Sequence, residues 1–133
     1  ISDEQISFML NNMYSAKSLV EQMRSGIEFL IVERENLPLA FAAYSQTDTD
    51  NQIYKLHKLY VLPTEQGRGT GKKLIEHVSS LAKAKGGNTL ELNVNRGNPA
   101  HHFYSKIGFD IYQTVDINYH NFVLNDYVMR KKL

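Results

Sequence analysis

Hydrophobic positions along the chain change their spacing several times, and each change predicts an element. "SDEQISFMLNNM" puts Ile6, Met9, Leu10 and Met13 on one helical face, with Ser2 and Gln5 spaced as a capping box. "SAKSLVEQMRSG" predicts a second helix through Leu19, Val20 and Met23, stopped at Gly26. "EFLIVERENLPLAFAAYSQ" holds two apolar runs around Glu35 and Asn36, a hairpin. "QIYKLHKLYVL" is a long strand ending at Pro63. The helical period returns in Leu74, Ile75, Val78, Leu81 and Ala82, and Gly86-Gly87 closes it. "TLELNVN" alternates, with Leu90, Leu92 and Val94 on one face and Glu91, Asn93 and Asn95 on the other. A short helix runs from about Pro99 to Lys106 with Asn98 as its cap. "DIYQTVDINY" and "FVLNDYVMRKK" are two strands turning at His120 and Asn121. The order α-α-β-β-β-α-β-α-β-β predicts a mixed α/β (α+β) fold. Its central sheet is mostly antiparallel and twisted, with a crossover helix and helices on both faces.

Length and composition narrow the reading. The chain has 133 residues, 42% of them hydrophobic, which suits a single domain with one core over residues 1–133. Fifteen basic and fourteen acidic side chains leave a formal charge of +1, without the basic stripe that nucleic acid or a membrane surface calls for. No apolar run reaches the roughly 18 residues of a membrane span. The absence of cysteine excludes disulfides, thiolate metal sites and a cysteine nucleophile. A cytoplasmic location is the default expectation.

"QGRGTGKK" raises the first chemical question, because glycines 67, 69 and 71 open a helix at about 1 kcal/mol each relative to alanine. The first turn of a helix leaves backbone N–H groups without partners and carries a partial positive charge. Glycines clear the approach for a phosphate, and Arg68, Lys72 and Lys73 add positive charge, so the loop reads as an anion site. A P-loop does not fit, since Gln66 stands at its first glycine and Lys73 at its hydroxyl residue. The dinucleotide fingerprint fails at Lys72, although Glu91 lies about 20 residues on, as such a site wants. A nicotinamide-binding fold remains the rival reading of this loop.

"LYVLPTEQGRGTGKKLIE" resembles motif A of the GNAT superfamily of acyl-CoA N-acyltransferases, [QR]-x-x-G-x-[GA], filled by Gln66, Gly69 and Gly71. "NVNRGNPAHHFYSKIGF" is similar to the same family's motif B, N-x-x-A-x-x-F-Y-x-x-x-G-F. Asn98, Ala100, Phe103, Tyr104, Gly108 and Phe109 fill it. The resemblance covers residues 28 to 131 well and the two N-terminal helices more loosely. GNAT domains generally begin with a strand ahead of those helices, and none precedes Ile1. The expectation is that this strand has been cut away, lost or replaced, leaving one sheet edge bare or paired with another chain.

The resemblance implies acetyl-CoA as co-substrate and no metal. Backbone N–H groups of Gln66, Gly67, Arg68, Gly69, Thr70 and Gly71 would hold its pyrophosphate. Leu59, Tyr60, Val61 and Leu62 would pair with the pantetheine amides as an added strand. It also implies that the strand after the helix splays away to open a slot, with Asn95 and Asn98 near the pantetheine arm. Lys72, Lys73 and Lys106 are candidates for the remaining phosphates, with Phe103 beside the site.

Acyl transfer to an amine requires a neutral amine, a donor for the oxyanion and a proton for the departing thiolate. An amine with a pKa of about 10.4 is under one part in a thousand neutral at pH 7, a cost of roughly 4 to 5 kcal/mol. By resemblance Tyr104 is the general acid, and a backbone N–H near Tyr60 or Val61 is the oxyanion donor. Glu91 is the first choice of general base, then His57, then Tyr44. Without cysteine, direct attack in a ternary complex is expected over an acyl-enzyme. His101 and His102 point about 100° apart on a helix, which makes a poor metal chelate.

The acceptor is expected to be a small-molecule or peptide amine. Tyr14, Tyr44, Tyr54, Tyr112, Tyr119 and Tyr127 are aromatic candidates for its wall, and Glu28, Glu33, Asp116 and Asp126 for its rim. "LHKLYVL" and "NDYVMRKKL" resemble polyamine-acetylating bacterial members of the family. The alternative function is a non-catalytic acyl-CoA sensor, and a homodimer is the expected assembly.

Overall fold

The computed structural model describes residues 21, 24–119 and 121–133. The helices expected within residues 2–26 lie outside this set, except for the close of the second. There the Ser25 amide donates to the Glu21 carbonyl at 3.1 Å and Gly26 turns at φ 90°. Tyr14 also lies outside it.

One sheet runs in the order β1-β2-β3-β4-β6-β5, with β1 at Glu28–Arg34, β2 at Leu37–Asp48, β3 at Ile53–Val61, β4 at Thr89–Asn95, β5 at Asp110–Tyr119 and β6 at Phe122–Lys132. All neighbours are antiparallel except β3 and β4. Glu35 and Asn36 both take positive φ, 53° and 66°, in the tight turn that the sequence predicts between β1 and β2.

After β3 the chain makes a 3-10 turn, Pro63–Glu65, and enters helix α1, Thr70–Ala84. This helix crosses back to a parallel strand. Its buried stripe, Leu74, Ile75, Val78 and Ala82, meets Ala40, Ala42, Leu56, Leu90 and Leu92 of the sheet. Burying each large member of that stripe contributes about 1.5–3 kcal/mol. Gly87, just past the helix, has no room for a side chain, since a Cβ would lie 2.7 Å from Tyr54 Cδ1.

The short helix α2, Ala100–Lys106, adds Ala100, Phe103 and Tyr104 to the same cluster. Both described helices therefore serve one core; helices on both faces is an expectation that concerns residues outside the described set. No described helix is long and apolar enough to cross a membrane.

Two irregularities position the site. In the β2–β3 ladder Ala43 faces Lys58 while Tyr44 faces Leu56, so His57 is an extra residue on β3. A bulge of this kind re-aims a side chain that regular alternation would fix. Between β3 and β4 the pairing is confined to Ile53–Thr89, Tyr54–Leu90 and Lys55–Glu91, and then the strands part.

Candidate active site

Where β3 and β4 part, a cleft of about 390 Å³ opens. Leu56 to Tyr60 line one wall and Leu92 to Asn95 the other, with Phe41, Asn98, Ala100 and Tyr104 completing it. The Leu62 amide donates to the Leu39 carbonyl of β2 at 2.9 Å. Backbone groups alternate sides along a strand, so those of Leu59 and Val61 face the gap. Gln66 Nε2 donates to the Val61 carbonyl at 3.2 Å, so that carbonyl is already engaged. The N–H groups of Leu59 and Val61 and the Leu59 carbonyl are thus presented to whatever enters.

The glycine loop lies at the end of β3. Gly67 and Gly69 adopt φ of 83° and 81°, a region that costs other residues about 1–2 kcal/mol. A Cβ at either would meet nothing within 4 Å, so the loop's outer side is open. Gly69 is the N-cap of α1, and no side chain caps it. The first N–H groups of α1 therefore point outward with the positive end of the helix dipole.

A buried carboxylate braces this loop from beneath. Glu65, 4% exposed, accepts from Arg34 Nη1 at 2.8 Å and from Thr70 Oγ1 at 3.2 Å, while Arg68 Nη1 lies 3.6 Å away. The Arg34 hydrogen bond, with lesser help from Thr70 and Arg68, holds the Glu65 carboxyl below the usual glutamate range. Arg68 is therefore shared between Glu65 and solvent. Lys72, Lys73 and Lys106 stand exposed at the surface.

Tyr104 lines the cleft from α2, its ring against Phe103 and edge-on to Phe109. Burial raises its pKa, so the phenol stays protonated. Tyr60, stacked on Phe41, has a buried hydroxyl without a hydrogen-bond partner among the described residues. His57 Nε2 and Ser45 Oγ share a hydrogen bond at 2.6 Å. Burial, then the charges of Lys55 and Lys58, push the His57 pKa down.

The two asparagines use part of their amides to shape the wall. Asn95 Oδ1 accepts from the Gly97 amide and Asn98 Oδ1 from the Ala100 amide, both at 2.9 Å. The helix proper starts at Ala100 with Pro99 as its N-cap, so Asn98 caps from one position earlier than expected.

Other candidates stand elsewhere. Glu91 is on the still-paired part of β4 and outside the cleft lining, and its carboxylate accepts from Arg130 Nε at 2.9 Å. Tyr44, 1% exposed, is in the core beneath α1, where it donates to Glu28 Oε2 at 2.5 Å and accepts from Lys85 Nζ at 3.3 Å. Phe103 packs on the core, its Cζ near Gly71. Of the expected aromatic wall, Tyr54 is buried, Tyr112 lies under the Arg130 guanidinium at 3.6 Å, and Tyr127 meets His101 edge-on. Glu28 and Asp116 of the expected rim are paired to Lys85 and Arg96.

Asn93, Lys58, Ser45 and the Arg34–Glu65 pair escaped the sequence reading. Asn93 had a signal, the polar face of "TLELNVN". Arg34 and Glu65 had none, because 31 positions separate them.

Comparison with known proteins is consistent with this geometry. The family model described as an acetyltransferase (GNAT) domain matches residues 25–111. The [ribosomal protein bS18]-alanine N-acetyltransferase of Haemophilus influenzae is 40% identical over 76 residues, 57% of this chain and 51% of that protein. The chain spans about half the length of the sequence relatives it first matches. Among solved structures, the PaiA N-acetyltransferase of Thermoplasma acidophilum in complex with coenzyme A superposes with a TM-score of 0.75 at 25% identity. It covers 100% of this chain and 80% of that one. An aminoglycoside 6'-N-acetyltransferase complexed with coenzyme A shares the fold, with a TM-score of 0.77 at 17% identity, covering 97% and 89%. Parted strands, an open glycine loop and the two motifs thus coincide with a family match over most of the described residues: the chain belongs to the GNAT acetyltransferase family.

Proposed function

We propose that the protein is an N-acetyltransferase that moves an acetyl group from acetyl-CoA to a primary amine by direct attack in a ternary complex. The observation that carries this reading is the parting of β3 and β4 after Lys55–Glu91, which leaves a strand edge facing a cleft that Tyr104 lines. The residues fit the co-substrate. The open side of Gly67 and Gly69 and the outward amides of α1 suit a pyrophosphate. Leu59 and Val61 offer free backbone groups to an extended amide-bearing arm. Asn95 and Asn98 keep amide N–H groups for the same arm. Acetyl-CoA supplies an activated acyl carbon and a thiolate leaving group.

Each remaining demand of the reaction has a residue. His57, neutral at pH 7 by its lowered pKa, takes a proton from the attacking amine. In the tautomer with its proton on Nε2, His57 donates to Ser45 Oγ and keeps a lone pair on Nδ1. His57 is preferred to Glu91, whose carboxylate is engaged by Arg130 away from the cleft. The N–H of Leu59 or Val61 donates to the oxyanion. The Tyr104 hydroxyl gives its proton to the departing sulfur and is reprotonated from solvent, while His57 releases the amine's proton there.

A thiol-release assay over polyamines, amino sugars, amino acids and peptide amines tests the reading. CoA release that depends on one amine class, and is lost in Tyr104→Phe, supports it. Binding of acetyl-CoA with no release across the panel would favour a sensor, and tighter binding of NADH than of CoA would end it.

A further inference from the structure

We infer that the acceptor amine carries its own negative charge, a carboxylate or similar anion, which Lys58 recognises beside the transfer site; this rests on the acetyltransferase reading above. Lys58 lines the cleft, is exposed, and forms no ion pair among the described residues. Lys55, three positions earlier and also without an ion pair among the described residues, adds a second positive charge next to the bulge. After burial, the charges of these two lysines are what lower the proton affinity of His57, so both lie near it.

The described lining of the cleft contains no carboxylate to offset them. Glu91, which faces Lys55 across the β3–β4 pairing, is committed to Arg130. Asp126 faces Asn95 from β6, one strand further from β3. A polycation brought to such a wall meets like charge, and like-charge juxtaposition costs several kcal/mol in a confined site. An amine tethered to an anion meets the opposite condition.

Lys58 is also poorly placed to serve the co-substrate's phosphates. Three residues of extended strand, roughly 10 Å, separate it from Val61, and the 3-10 turn intervenes before the glycine loop. It stands at the end where the strands part, where the acyl group and the amine meet.

The test compares acceptors matched in length and opposite in charge: 4-aminobutyrate against 1,4-diaminobutane, and Ala-Glu-Glu against Ala-Lys-Lys peptides. CoA release is followed at about pH 8.5, so that His57 is neutral in every variant. The anionic member of each pair that is turned over is expected to have the higher kcat/KM, on the order of tenfold. Lys58→Gln removes that preference, and Lys58→Glu reverses it while circular dichroism stays unchanged. Preference for the cationic members, or a preference indifferent to Lys58→Glu, overturns the inference while leaving the acetyltransferase reading intact. No amine-dependent release with any of these four overturns the inference, and none across the wider amine panel overturns the acetyltransferase reading as well.

Discussion

Arg34, the last residue of β1, donates through Nη1 to Oε1 of Glu65 at 2.8 Å and ties the first hairpin to the base of the glycine loop. Glu65 in turn accepts from Thr70, the first residue of α1. The glycine loop is therefore braced at its base by a buried carboxylate. Glu65→Ala is expected to leave Arg34 and Thr70 without an acceptor and to weaken CoA binding on the order of tenfold. Titration calorimetry checks it; unchanged affinity with unchanged secondary structure would show that the brace is dispensable. Because the folded carboxyl is held below the usual range, its stabilising effect is full above the ordinary glutamate pKa. That effect is lost as pH falls through the lowered folded value.

The glycines separate backbone strain from access. Gly69 sits at φ 81°, so Gly69→Ala is expected to destabilise the protein by about 1–2 kcal/mol. Gly71 has no positive φ, and a Cβ there would make ordinary contacts, 3.5 Å to Val61 Cγ2 and 3.6 Å to Phe103 Cζ. Gly71→Ala should leave stability unchanged or raise it by up to about 1 kcal/mol. Urea melts distinguish the two, and equal losses at both positions would contradict the assignment.

How far the sequence went follows from which forces are local. The hydrophobic period of "TLELNVN" and the Glu35-Asn36 turn were legible because adjacent residues set them. The glycine loop was legible because strand, loop and helix are contiguous. The partner of Glu91 is not legible, for the opposite reason. The polar face of its strand was read correctly, but Arg130 is 39 positions away and takes up the carboxylate. The bulge that aims His57 depends on the β2–β3 register, which no local pattern around "KLHKLY" encodes.

Tyr104→Phe removes a hydroxyl and keeps the ring packing against Phe103 and Phe109. The expected loss in kcat is about 10²–10³-fold, within the usual worth of a positioned acid. KM for acetyl-CoA should change little, since the ring and the strand edge remain. An acetyl thioester donor whose thiol is more acidic, and so leaves without a proton, should recover part of the rate. Full activity in the variant would remove the phenol from the mechanism.

The pH profile reads the His57–Ser45 pair directly. With the folded pKa of His57 pushed down, the base form dominates at and above about pH 6.5, and kcat at saturating amine and acetyl-CoA should fall through loss of this base only below that point. For stability the sign is the same. The neutral histidine's contribution is full above its ordinary value and lost as pH falls through the lowered folded one. Lys58→Gln removes one of the neighbouring charges and should move the acid limb toward higher pH. Ser45→Ala frees the ring at Nε2, and is expected to lower kcat by roughly fivefold at saturating acetyl-CoA, as a lost hydrogen bond of about 1 kcal/mol implies. Rate profiles of the parent chain, Lys58→Gln and Ser45→Ala across pH 5 to 9 decide it: an acid limb that does not respond to Lys58 would mean that the titrating group is not His57.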